Sequence, residues 1–205
     1  MSPDEILQAA RHVLEIESAS VAALVEQLDE HFVTVAQTLL ACSGHVLVAG
    51  SGTSNAVAAR LAHLLSCCGT PALFIHPGDS QHGLAGAVTA NDVVIAISKG
   101  GETTEVNYLA RIAKQRGATL VALTEKPAST LGQLSDHVLR IQAAPDVDPY
   151  GMIATGSSLT VSAMGDALCV VLLHLRGYSQ EQFGQTHPGG AVGIMLQQQE
   201  KDGNQ

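Results

Sequence analysis

His45-Val46-Leu47-Val48-Ala49 runs directly into Gly50-Ser51-Gly52-Thr53-Ser54, and this junction decides the fold. Apolar residues without polar alternation predict a strand covered on both faces, the mark of a parallel sheet. The small residues that follow predict a tight turn into a helix. Glycines permit close backbone approach, and the N–H groups and dipole of a helix start favour an anion. The loop is too short for a Walker motif, and Asn55 stands where a dinucleotide fingerprint needs its third glycine. Two readings remain: a plain helix cap by Ser54, or a monophosphate cradle made of Gly52, neighbouring N–H groups and the Thr53 and Ser54 hydroxyls.

Outward from this junction, apolar runs and helical patterns alternate. Strands are predicted at 45–49, 72–75, 92–97, 119–124 and 137–141, with helices at about 54–68, 103–116, 127–134 and 156–175. Gly69, Gly117 and Gly177 stand where helix end-caps are expected. Ser2-Pro3-Asp4-Glu5 reads as a capped helix start. Residues 1–43 therefore form a mostly helical leader that packs on the domain or on a partner subunit. One α/β domain covers 44–196, and a polar tail covers 197–205.

The 205 residues are 46% apolar, with no Trp, three Phe and three Tyr, so the core must be built from Leu, Val, Ala and Ile. A formal charge of −9 argues against a nucleic-acid partner. It leaves room for an anionic small molecule, because local N–H dipoles override net charge. Cys42, Cys67, Cys68 and Cys169 include no C-x-x-C pair and read as small buried residues of a reducing compartment. The first residues lack the basic and apolar regions of a signal peptide, and no apolar run reaches the roughly 18–20 residues of a membrane span. The expected location is cytoplasmic, without membrane contact. No His/Cys/Asp set has metal-ligand spacing.

In open parallel sheets ligands sit beyond the carboxyl ends of the strands. That rule selects 50–54, 76–86, 98–105 and 142–155. Ser98-Lys99-Gly100-Gly101-Glu102-Thr103-Thr104-Glu105 is a second glycine- and hydroxyl-rich loop at the end of a strand. Glu102 suits a helix dipole. Glu105 lies one turn farther along and is either a general base over the strand ends or another helix-start carboxylate. Lys99 is either a phosphate partner or a solvated charge. His76-Pro77-Gly78-Asp79-Ser80-Gln81-His82-Gly83 carries two histidines, and His187-Pro188-Gly189-Gly190 repeats its opening theme. His82 is a candidate acid–base or hydroxyl-orienting group, although each of these histidines could simply fix a turn. Thr155-Gly156-Ser157-Ser158 offers an anion or sugar a further helix start, or caps it.

These residues, in this order, resemble the sugar isomerase (SIS) domain family over 44–195, and within it the arabinose-5-phosphate isomerases. The likeness rests on Phe74-Ile75-His76-Pro77-Gly78-Asp79 with His82-Gly83, on Gly101-Glu102-Thr103-Thr104-Glu105, on Met164-Gly165-Asp166-Ala167-Leu168, and on His187-Pro188-Gly189-Gly190-Ala191. The resemblance implies an α/β three-layer sandwich, flavodoxin-like, with a five-stranded parallel sheet flanked by helices. It implies a homotetramer with sites at subunit interfaces, no cofactor, and interconversion of ribulose 5-phosphate and arabinose 5-phosphate through an enediol. By position it assigns the phosphate to Thr53, Ser54, Ser98 and Thr103 with nearby N–H groups; the loops' own make-up adds Gly52, Lys99, Gly100, Gly101, His76 and Ser157 as candidates around the sugar phosphate. It matches Glu105, His82 and His187 to acid–base or sugar-contacting positions, and Asp146 to a catalytic one. Thr53 stands where those isomerases carry lysine, Asp146 where they carry glutamate, and Gly100 where a second serine is expected. The chain ends soon after Leu196, without the paired CBS modules that often follow. Lys99 is positioned in sequence to replace the lost charge. The alternatives are a phosphosugar-binding protein without catalysis and another isomerase, such as a hexulose-phosphate enzyme.

Overall fold

The structure, a computed structural model, describes residues 1–143 and 147–203. Five strands, β1 (Val46–Gly50), β2 (Ala72–Phe74), β3 (Val93–Ile97), β4 (Thr119–Thr124) and β5 (His137–Arg140), form one sheet in the order β2-β1-β3-β4-β5. Every neighbouring pair is parallel. All residues of β1 and β3 are buried, which is why their sequences do not alternate. Side chains nevertheless divide by parity. Val46, Val48, Ile95 and Ile97 face one core, and Leu47, Ala49, Val94 and Ala96 face the other.

The first core is closed by α2 (Glu30–Ala41), α3 (Thr53–Cys67) and α7 (Gly156–Arg176), the second by α5 (Thr104–Gln115) and α6 (Thr130–Leu134). The predicted three-layer sandwich is therefore present. α7 is long and apolar enough to cross a membrane, yet Met164, Leu168 and Leu172 are buried in the first core.

The leader is two helices. α1 (Pro3–Ala22) carries the predicted capping box, in which Ser2 and Glu5 bond each other's backbone N–H groups. A 3-10 turn over Ala23–Gln27 then leads to Asp29, whose carboxylate caps α2. α2 buries Val35, Ala36 and Leu39 against the sheet, whereas α1 leaves Ile6, Leu7 and Leu14 exposed. After α7 come α8 (Gln180–Thr186) and α9 (Gly190–Gly203). Residues 197–203, expected as a polar tail, continue α9. Gln, Glu and Lys are good helix formers, so polarity alone does not end a helix.

At the amino ends of the strands, buried Asp92 ties β1 to β3. Its Oδ1 accepts from His45 N–H at 2.7 Å, and its Oδ2 accepts from the Thr89 N–H and hydroxyl at 2.7 and 2.9 Å. Burial pushes this carboxyl up, but the three hydrogen bonds outweigh burial and hold it below the ordinary aspartate value. A depressed folded value means stability that is present above the unfolded value of about 3.9 and is lost as pH falls through the folded one. Asp92→Asn keeps one acceptor and turns an amide toward Thr89 N–H. It should cost about 1.5–3 kcal/mol at pH 7, and denaturant unfolding should show this gap from wild type shrinking toward zero in strong acid.

Candidate functional site

Gly50 pairs with Ile97 in the β1–β3 register, so the loops after these strands leave the sheet edge side by side. β1 continues to β2 on one flank and β3 to β4 on the other. The loops diverge and leave a crevice between them. Three of the helices that start at this edge, α3 after Gly52, α5 after Thr103 and α7 after Thr155, receive no side-chain bond from their capping residues. By contrast α6, which follows β4 at the same edge, is capped by Ser129, and α1, α2 and α8 are capped by Ser2, Asp29 and Ser179. First-turn N–H groups without a cap make a ready anion seat.

Gly52 turns β1 into α3 with φ 60° and ψ −129°, a region open to glycine alone. Among the described residues the Thr53 and Ser54 hydroxyls have no partner, so the simple capping reading of Ser54 is not the one adopted. Both line an enclosed pocket of about 50 Å³ together with Lys99, Thr124, Glu125, Ser157 and Ser158. Val57, Ile97, Leu123, Ile141 and Val161 form its apolar floor.

The second loop is closed on itself. Ser98 Oγ lies 2.9 Å from Thr103 Oγ1 and accepts from Gly101 N–H at 3.1 Å. The Gly101 carbonyl accepts from Asn107 Nδ2 and Leu131 N–H. Glu102 serves a different helix from the one expected: its two oxygens accept from the N–H and hydroxyl of Thr130, at 2.8 and 2.7 Å, and secure the start of α6. Those bonds hold its carboxyl below the usual glutamate range.

On the other side of Gly52 lies an open cleft of about 580 Å³, lined by Ser51, Gly52, Asn55, His76, Gly78, Gln81 and Glu105. Glu105, in the first turn of α5, thus faces the β1 loop as one of the sequence readings required. His76 precedes the short helix α4 (Pro77–Ser80), and its Nδ1 accepts from Asp79 N–H at 3.3 Å. The neutral ring then carries its proton on Nε2. His82 is exposed on the turn after α4; its neighbour Gln81 lines the cleft instead.

His187 is not brought to these loops within one chain. Its Nε2 lies 3.2 Å from the Sγ of Cys67, the last residue of α3, and its ring stacks on Phe183. The 15 residues of α3 set Cys67 about 22 Å from the Gly52 turn at roughly 1.5 Å per residue. Asp146 lies outside the described residues. Of the cysteines only Cys169 is fully buried, and burial pushes its thiol up to about 12. Among the described residues no group of three or more His, Cys, Asp or Glu side chains is placed to hold a metal ion.

Sequence reading missed Asn55, Gln81 and Glu125 as lining residues. Asn55 and Gln81 fell inside or beside quoted motifs but carry no chemistry that singles them out. It also missed Asp148, whose carboxylate accepts from the N–H groups of Tyr150, Met152 and Ile153 and shapes the approach to α7.

A parallel 2-1-3-4-5 sheet with uncapped helix starts at its β1/β3 switch point defines a flavodoxin-like α/β domain. A profile of the SIS domain matches residues 39–181, and the chain belongs to the SIS domain family. Arabinose 5-phosphate isomerase KdsD of Yersinia pestis is 38% identical over 189 residues, which are 92% of this chain and 58% of that protein. The chain thus spans less than two thirds of the length of the curated relatives it matches. A Listeria monocytogenes protein thought to be a sugar-phosphate isomerase superimposes with a TM-score of 0.90 at 35% identity, covering 92% of this chain and 100% of that one. A protein of Escherichia coli CFT073, solved in complex with arabinose 5-phosphate, gives 0.88 at 30% identity with the same coverage.

The loop geometry separates two adjacent glycines. A Cβ on Gly101, at φ +70°, would fall 1.8 Å from Ser129 Oγ, whereas one on Gly100 would meet nothing within 4 Å. Gly101→Ala should therefore cost about 2–4 kcal/mol, while Gly100→Ser should stay within roughly 0.5 kcal/mol of wild type. Thermal melts of the two variants check this.

Proposed function

We propose that the chain is a sugar-phosphate isomerase that interconverts ribulose 5-phosphate and arabinose 5-phosphate. The observation that carries this reading is Glu105, a carboxylate placed across a cleft from a phosphate-type turn, with Gly52 lining both the cleft and the approach to the anion seat. The identity to isomerases over most of the chain supports it.

In this reading the phosphate sits at the start of α3, held by N–H groups and by Thr53, Ser54 and Lys99. The sugar lies between Glu125 and Gly52, with its C1–C2 end reaching over Gly52 into the cleft. Glu105 takes the C1 proton of the ketose as the carbonyl oxygen gains charge, and returns a proton to C2 of the resulting enediol. The His76 Nε2–H is the donor suited to that oxygen. The atoms balance, because one proton moves from carbon to carbon and one between the two oxygens.

His187 sits on the far side of its own chain, and α1 leaves Ile6, Leu7 and Leu14 uncovered. Both features support a homotetramer in which a neighbouring chain completes the site. Light scattering should then give a four-chain mass.

One observation favours a second reading, a phosphosugar-binding protein without catalysis. Thr53 stands where the family's isomerases carry lysine, and among the described residues that line the cleft with Glu105 none is a lysine or arginine. Incubation with ribulose 5-phosphate in deuterated water separates the two. Incorporation of deuterium at C2 of the pentose is expected, and Glu105→Gln should slow it at least about 100-fold. Ligand-dependent thermal stabilisation without any incorporation establishes the binding protein instead. Lys99→Ala should weaken sugar-phosphate binding about tenfold or more, and unchanged affinity in calorimetry removes Lys99 from the phosphate site.

A further inference from the structure

The enclosed pocket beside the anion seat is lined by groups that attract negative charge: Thr53, Ser54, Lys99, Ser157 and Ser158. Two helix N-termini, those of α3 and α7, open onto it. Among the described residues that line it, Glu125 is the one acid. A carboxylate in such a place opposes the binding of a phosphate unless it meets donors on the same ligand.

Glu125 is held in position rather than loosely solvated. Its N–H donates to the Lys99 carbonyl at 3.1 Å, and the Thr124 hydroxyl donates to that same carbonyl at 3.0 Å. Ala143 N–H donates to Glu125 Oε1 at 3.3 Å. The end of β4 is thereby clamped to the 98–101 loop, and the side chain is half-buried above an apolar floor. A low-dielectric floor strengthens the field of a charge placed on it.

We propose that Glu125 is a specificity-determining residue of this site. It accepts hydrogen bonds from hydroxyl groups of a phosphorylated polyol and turns away ligands that carry a second anionic group. The proposal rests on the phosphosugar reading of the site, but not on catalysis. An ionised carboxylate can only accept, so the complementary ligand is one whose single phosphate meets the helix starts while a neutral, hydroxyl-rich chain meets Glu125. A sugar acid phosphate or a bisphosphate sets like charges against each other.

The test is calorimetric titration of the full chain with arabinose 5-phosphate and with 5-phosphoarabinonate, which differs by a carboxylate at C1. Wild type should prefer the sugar phosphate by more than tenfold. Glu125→Gln retains the oxygen that Ala143 N–H uses and removes only the charge. It should weaken arabinose 5-phosphate and tighten 5-phosphoarabinonate, each about fivefold or more, so that the preference collapses. A purely structural role for Glu125 leaves the ratio of the two affinities unmoved, and a ratio within twofold of wild type overturns the assignment. Glu125→Asp covers the case in which the Gln variant does not fold. It should lose affinity for the sugar phosphate while still rejecting the acid, and wild-type affinities for both ligands overturn the assignment equally. Deuterium incorporation with an unmoved ratio removes Glu125 and keeps the isomerase; a collapsed ratio without incorporation keeps Glu125 in a binding protein. Failure of wild type to bind either ligand ends both.

Discussion

The parallel pairing of β1 with β3, with Gly50 opposite Ile97, is the constraint on which the rest of the molecule depends. It sets the ends of two separate βα units at one height. Because β2 lies outside β1 while β4 lies outside β3, the chain leaves the shared edge in opposite directions, and a crevice opens where side chains can converge. The register is strongly specified. A slip by one residue would exchange the parity of Val46 and Val48 with that of Leu47 and Ala49, and these pairs belong to two differently shaped cores, one under α2, α3 and α7 and one under α5 and α6.

Parallel direction has an electrostatic result as well. Every strand ends on the same side, so every helix that follows a strand begins there, with the positive end of its dipole at the edge. Of the helices at this edge, α3, α5 and α7 lack a side-chain cap, whereas α4 and α6 are capped by His76 and Ser129. A cap stabilises a helix by about 0.5–2 kcal/mol. Stability of that kind is withheld where backbone donors remain open to a ligand. Local reinforcement comes instead from behind the loops, through Glu102 on Thr130 and the Gly101 carbonyl on Asn107 and Leu131.

Most of the architecture was legible because buried parallel strands announce themselves as unbroken apolar runs, and all five were readable to within a residue or so of their ends. Short polar helices were not legible. His76-Pro77-Gly78-Asp79 carries turn residues and reads as a loop, yet His76 and Pro77 start one turn of α4. The break at Ala23–Gln27 was hidden because Val21, Leu24, Val25 and Leu28 keep a helical spacing across it. The site was found where the strand-end rule was applied and missed where it was not. The loop after β4 also leaves the carboxyl edge, and it holds Glu125. His187 was legible as a motif but not as a position, since no local pattern tells which end of the sheet a segment after α7 returns to. Glu102 was read as a dipole partner of its own helix; a nearby N–H of α6, which only tertiary structure supplies, is its actual partner.

The closed pair of Ser98 and Thr103 has a consequence for how the edge responds to its surroundings. A phosphate that enters beside this loop exchanges one hydroxyl hydrogen bond for another, so these two side chains contribute little net affinity. The attraction then comes from fixed dipoles and from the Lys99 charge at an exposed rim. Interactions of that kind are screened within roughly 8–10 Å at ordinary ionic strength. If the edge seats a phosphate as proposed, its capture is governed by the salt around it as much as by the fit of the ligand.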